Sequence, residues 1–130
     1  MTPDVPGASR LTDTLQIAHA IADVAAGKLA TDIVILDMRS VGTYTDWFVI
    51  CSGRTPRQTQ AIAEELRRGL RSTKLRPQRI EGERQGDWIL LDYTDVVVHV
   101  FTPEARAYYR LENLWGEVPS ESYVSASASA

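Results

Sequence analysis

The stretch from Gly86 to Trp115 constrains this chain more than any other. It opens with Asp87-Trp88-Ile89-Leu90-Leu91-Asp92, turns through Tyr93-Thr94-Asp95, and continues as Val96-Val97-Val98-His99-Val100-Phe101. Apolar, β-branched and aromatic runs of this length between turn formers read as strands, so residues 87–92 and 96–101 are predicted to be two strands joined by a short turn. Thr102-Pro103 then starts a helix, with Thr102 as the cap acceptor and Pro103 at the first helical position. That helix, over 103–115, carries Tyr108, Tyr109, Leu111, Leu114 and Trp115. The whole stretch holds two of the three Trp and one of the two His.

The remaining chain supplies what such strands pack against. Residues 1–9 are rich in Pro and Gly and predict a flexible N-terminus. From Leu11 the apolar residues Leu15, Ala18, Ile21, Ala22 and Ala25 recur at helical spacing, and Gly27 stops the helix. Ala30 to Met38 and Asp46 to Cys51 are strands. Ile33 to Leu36 lacks polar alternation, which predicts an inner strand covered on both faces. Thr55-Pro56-Arg57-Gln58 starts a second helix with Ile62, Ala63, Leu66 and Leu70 on one stripe. Gln78 to Glu81 is a further strand, and Gly82 to Gly86 a hairpin-length loop. The order helix, strand, strand, helix, strand, strand, strand, helix predicts an α/β (α+β) sandwich, a mixed sheet of about five strands flanked by helices. It forms one domain over 10–118. Residues 119–130, ending in alternating Ser and Ala, are predicted to be a disordered tail.

Charge and cysteine narrow the function. Residues 54–84 carry nine Lys and Arg against four Glu, net +5, so the remainder is net −8. The main apolar stretch lies in the acidic part, which suits a basic protein partner better than bare nucleic acid. A single cysteine, Cys51, excludes an internal disulfide and a multi-Cys zinc site; its apolar surroundings predict a core thiol. No apolar run approaches the roughly 18–20 residues of a membrane span, and no signal-peptide pattern opens the chain. The expected location is cytoplasmic.

The search for chemistry yields little. There is no G-x-G-x-x-G and no Walker-type loop; Ser52-Gly53 between a strand and a helix is the nearest phosphate cradle. Asp92 and Asp95 could hold a magnesium ion, but Asp is also a turn former, and the turn reading is the stronger. His19 has only Asp23 at ligand spacing and reads as structural. On a strand, Val97, His99 and Phe101 share one face and Val96, Val98 and Val100 the other. His99 is then either a hydrogen-bonded core residue or part of an exposed surface. Likewise Trp88, Leu90 and Asp92 share a face. Tyr108, Leu111 and Trp115 fall on one line of the last helix. These are more large apolar side chains than one helix face needs, which marks a binding patch.

Taken as an ordered set, these residues resemble the ribosomal silencing factor family, also called the Iojap family. The matching pieces are Asp32-Ile33, Thr45 to Gly53, Arg57-Gln58, Ala61-Ile62-Ala63, Glu81-Gly82, Asp87 to Tyr93, Val96 to Phe101 and Tyr109 to Trp115. The resemblance implies a nucleotidyltransferase-like fold without the catalytic motif. Here Ser52-Gly53 stands in the reverse of the catalytic Gly-Ser order, and no Asp-x-Asp strand follows. It implies a non-enzymatic repressor of translation under starvation. Such a factor binds the fourteenth large-subunit ribosomal protein and sterically blocks joining of the small and large subunits. It needs no cofactor or metal, and it is a homodimer when free. RNA contact is at most secondary. Carried over by position, the partner contact uses Trp88, Leu90, Asp92, His99, Phe101, Tyr109, Glu112 and Trp115. The alternatives are a metal-dependent nucleotidyltransferase-like enzyme acting through Asp92 and Asp95, and an RNA-binding ribosome assembly factor using the Arg67 to Arg76 run.

Overall fold

The computed structural model describes residues 6–41, 45–69 and 75–123, with the backbone alone over 6–13. In chain order the elements are α1 (Pro6–Gly27), β1 (Thr31–Asp37), β2 (Trp47–Ser52), α2 (Pro56–Gly69) and β3 (Arg79–Glu81). They continue as β4 (Trp88–Asp92), β5 (Val96–Phe101), α3 (Pro103–Tyr109), α4 (Leu111–Leu114) and β6 (Ser120–Ser122). The six strands form one mixed sheet in the order β3-β4-β5-β2-β1-β6. Only β2 and β5 run parallel; every other neighbouring pair is antiparallel. The fold is α+β, as the element pattern predicts.

Period-two alternation sends the two side-chain sets of each strand to opposite faces. Ile33, Ile35, Val49, Cys51, Ile89, Leu91, Val96, Val98 and Val100 enter the main core with Ala18, Ile21, Ala22 and Ala25 of α1 and Ile62, Ala63 and Leu66 of α2. Leu70, expected on the same stripe, lies outside the described residues. Trp47 ties α1 to the sheet through its indole N–H, which donates to Thr14 Oγ1 at 3.0 Å. The start of α2 follows its sequence signal, with Gln58 N–H donating to Thr55 Oγ1 at 3.1 Å.

Cys51 is fully enclosed in this core, and burial pushes its thiol up to about 12. Because the thiolate is the reactive form, a thiol reagent at mildly alkaline pH is expected to leave the native protein unmodified and to label it in denaturant. Native protein labelled as fast as free cysteine would contradict this placement.

Three expectations are corrected. The first helix begins at Pro6, so residues 6–9 belong to it rather than to a loose end; Pro is compatible with a first helical turn, where its missing N–H has no partner to lose. The sheet has six strands, because residues 120–122 of the predicted tail pair with β1. Nothing apolar marks β6, all three of whose residues are exposed; main-chain bonds to an open strand edge hold it. Asp37 N–H donates to Pro119 O at 2.9 Å and Tyr123 N–H to Ile33 O at 2.8 Å, closing the pairing at both ends. Finally, the last helix is two. Arg110 adopts the left-handed conformation (φ 50°, ψ 48°) and separates α3 from α4. Tyr108, Leu111 and Trp115 therefore do not share one helical line: Tyr108 is 79% exposed while Leu111 is buried.

Candidate partner-binding face

The sheet face opposite α1 and α2 gathers the predicted site residues. Strand register sets them in rows. Trp88 faces Phe101 and then Ser52; Leu90 faces His99 and then Ile50; Asp92 faces Val97 and then Phe48. A second core of Leu36, Met38, Ile50, Phe101 and Leu111 closes one part of this face, with Ala105, Trp115 and Val118 packed against it. Over β4 the cover is thinner, and Trp88 and Leu90 are half-buried.

The aromatic side chains form one connected layer. Trp88 lies 5.0 Å from Phe101 and 4.8 Å from Tyr109, ring centroid to ring centroid. Phe48 contacts His99 at 4.7 Å and Trp115 at 6.4 Å, both edge-on. Such offset and edge-to-face pairs are the favoured aromatic geometries, each contributing about 0.5–1.5 kcal/mol beyond burial. Tyr108, edge-on to Tyr109 at 5.0 Å, extends the layer into solvent and is 79% exposed.

The hairpin loop before β4 fixes where Trp88 stands. Gly82 and Gly86 both have positive φ (84° and 77°), and a Cβ on Gly82 would run into the Trp88 carbonyl oxygen. Gly86 is closed in by Pro56 in the same way, and its N–H donates to Gly82 O at 2.9 Å. This approach of backbone to backbone is possible only without side chains.

His99 is enclosed, 4% exposed. The indole N–H of Trp88 donates to its Nδ1 at 3.1 Å. An indole nitrogen can only donate, so Nδ1 is the acceptor and the neutral ring carries its proton on Nε2. Burial pushes the imidazole pKa down to about 4. The sequence left two readings of His99 open; it is a buried, hydrogen-bonded residue.

The two acids carried over from the family pattern are held within the chain. Asp92 Oδ1 accepts from Thr94 N–H at 2.8 Å, and Arg79 lies 3.8 Å from Oδ2. This is the Asx geometry of a turn. Among the described residues no group of three or more His, Cys, Asp and Glu is placed to hold a metal ion. Glu112 Oε2 accepts from Arg106 Nε at 3.1 Å and Nη2 at 2.7 Å. Arg106 Nη1 donates to Ser52 Oγ at 2.8 Å, a clamp that holds α4 against the end of β2. The Ser52-Gly53 turn is likewise occupied, since Gly53 N–H donates to Phe101 O at 2.8 Å.

Of the eight carried-over residues, Trp88, Leu90, Tyr109 and Trp115 reach the surface, whereas Asp92 and His99 are buried and Glu112 is half-buried in its ion pair. Phe101 is fully buried. It supports Trp88 and Tyr109 from beneath and offers a partner nothing, because both of its faces lie in core. Phe48, not singled out from the sequence, is half-buried at the centre of the layer. Trp47 and Phe48 alternate to opposite faces along β2, the signal by which the sequence could have found it.

A model of the family described as "Ribosomal silencing factor during starvation" matches residues 11–130. The chain is 42% identical to ribosomal silencing factor RsfS of Halalkalibacterium halodurans over 109 residues, covering 83% of this chain and 90% of that one. It is 42% identical to the protein of that name from Bacillus subtilis over 105 residues, covering 81% and 86%. A crystal structure of a Bacillus halodurans protein superposes with a TM-score of 0.74 at 37% identity, covering 84% of this chain and 99% of that one.

Proposed function

The chain belongs to the ribosomal silencing factor family, and from that premise we propose that it binds the large ribosomal subunit through the fourteenth large-subunit ribosomal protein. Once bound, it keeps the small subunit from joining by occupying the space that subunit needs. No catalytic step belongs to this reading. The observation that carries it is the half-open aromatic face over β4: Trp88 and Leu90 stand half-buried beside Tyr109, which is 48% exposed. Interfaces draw most of their energy from a few such side chains, above all Trp, Tyr and Arg. Trp88, Leu90, Tyr109 and Trp115 make the contact; Phe101, Asp92 and Glu112 hold them in place. A free homodimer would cover the same apolar surface until the ribosome is met.

Sedimentation tests the reading. With purified large subunits the chain is expected to travel in the large-subunit fraction. Added before small subunits, it should deplete the joined ribosomes. A chain that sediments with joined ribosomes, or leaves their yield unchanged, would refute the blocking mechanism.

A further inference from the structure

Three buried side-chain polar atoms have no hydrogen-bond partner among the described residues, and two of them lie in the aromatic layer just described: His99 Nε2 and Trp115 Nε1. Both are donors. Trp115 can be nothing else, and His99 is fixed as one because Trp88 already donates to its other nitrogen. They flank Phe48, which touches both rings. A buried N–H without an acceptor loses its hydration with nothing in return, and native proteins keep few of them. Two in one layer, at the edge of a half-open face, point to a state in which both are paired.

We infer that His99 Nε2–H and Trp115 Nε1–H are the polar anchors of the docking face, and that they pair with carbonyl oxygens of a polypeptide segment laid over Phe48. The inference rests on the functional reading above and names the chemistry of its contact. The acids of the site do not compete for this role, since Asp92 and Glu112 are engaged within the chain. The neighbouring surface favours polypeptide over nucleic acid. A shallow cavity of about 550 Å³ beside Tyr109 is lined by Pro56, Asp87, Thr102, Glu104 and Tyr108 among others. Two carboxylates and no basic side chain line it, a setting that repels phosphates. The segment must reach two N–H groups that solvent does not touch, so Trp115, the residue that ends α4, shifts as it seats.

The test uses Trp115→Phe, which keeps a ring and removes the N–H, and His99→Asn, which keeps an acceptor for Trp88 and removes the donor at Nε2. Affinity is measured for purified large subunits and for the isolated fourteenth large-subunit protein, and the free variants are melted in parallel. Each variant is expected to bind both probes about tenfold more weakly. Free Trp115→Phe should melt at or above the wild-type temperature, since an unpaired donor has been removed. Wild-type affinity in Trp115→Phe would overturn the inference alone. Weaker binding together with a lower melting temperature would also overturn it, by showing that the N–H is already bonded in the free protein. A loss seen on subunits but absent on the isolated protein would assign the acceptors to RNA and overturn the polypeptide assignment. Failure of the wild-type chain to bind large subunits would overturn the functional reading itself, and this inference with it.

Discussion

Replacing Trp88 with alanine is expected to weaken binding to the large ribosomal subunit by ~100-fold or more, about 3 kcal/mol, while the chain stays folded. The indole does three things at once. It contacts Tyr109 at 4.8 Å, so its loss frees the exposed tyrosine that forms the rim. It covers Phe101. Its N–H fixes the His99 tautomer, so without it Nδ1 loses its donor and the direction of Nε2 is no longer set. Folding should survive because Trp88 stands only half in the second core. The main core on the other face, with Ile89, Leu91, Val98 and Val100, is untouched. The cost to stability lies at or below the roughly 3–5 kcal/mol of a fully buried aromatic truncation. Trp88→Phe separates the roles, since it keeps ring contact and loses the donor; it should fall between the wild type and alanine. Co-sedimentation with large subunits, alongside thermal melting, measures both quantities. Wild-type pelleting by a folded Trp88→Ala would remove this face from the contact. Reversing the charge at Asp92 is a poorer experiment than the sequence suggests. Asp92 is 8% exposed and bonds the Thr94 N–H, so a lysine there breaks the turn before it meets a partner.

Asp92 shows how far the sequence reaches. Alternation put Trp88, Leu90 and Asp92 on one face of β4 and His99 and Phe101 on one face of β5, and the register joins the two sets on the same side of the sheet. Alternation cannot tell how deeply each side chain sits, because depth depends on elements from elsewhere in the chain. Leu111 and Ala105 cover Phe101, while little covers Trp88. The break at Arg110 was equally hidden. Arginine carries no preference for positive φ, and the left-handed turn is held by the Arg106 clamp on Glu112 and Ser52, two partners 6 and 54 residues away. β6 left no mark because an edge strand held by main-chain bonds needs no apolar pattern. What was legible came from local periodicity and turn chemistry, at β5, α2 and the Thr102-Pro103 start.

Lowering the pH from about 6.5 to 4 is expected to remove about 3 kcal/mol of folding stability through His99 alone. The ring is folded away neutral with its pKa near 4, whereas an unfolded His titrates near 6.5. Above the unfolded value neither state binds the proton, and stability does not depend on this residue. Between the two values the unfolded chain takes up a proton that the folded chain refuses, so stability falls as pH falls; below both it falls no further. Other groups titrate in acid as well, among them Asp37, whose carboxyl Arg39 holds below its usual range. The measurement is therefore a difference: denaturant unfolding of the wild type and of His99→Asn across this window. Every other titrating group is common to both chains and cancels. The wild type should lose stability relative to the variant as the solution is acidified, and a flat difference would show that His99 is not buried neutral. The cause is burial among uncharged rings, Phe48, Trp88 and Phe101, with no ion pair among the described residues to tune it. Near neutral pH the residue is consequently not a switch. It is a fixed acceptor for Trp88, and protonating Nδ1 would remove the acceptor that holds the indole in place.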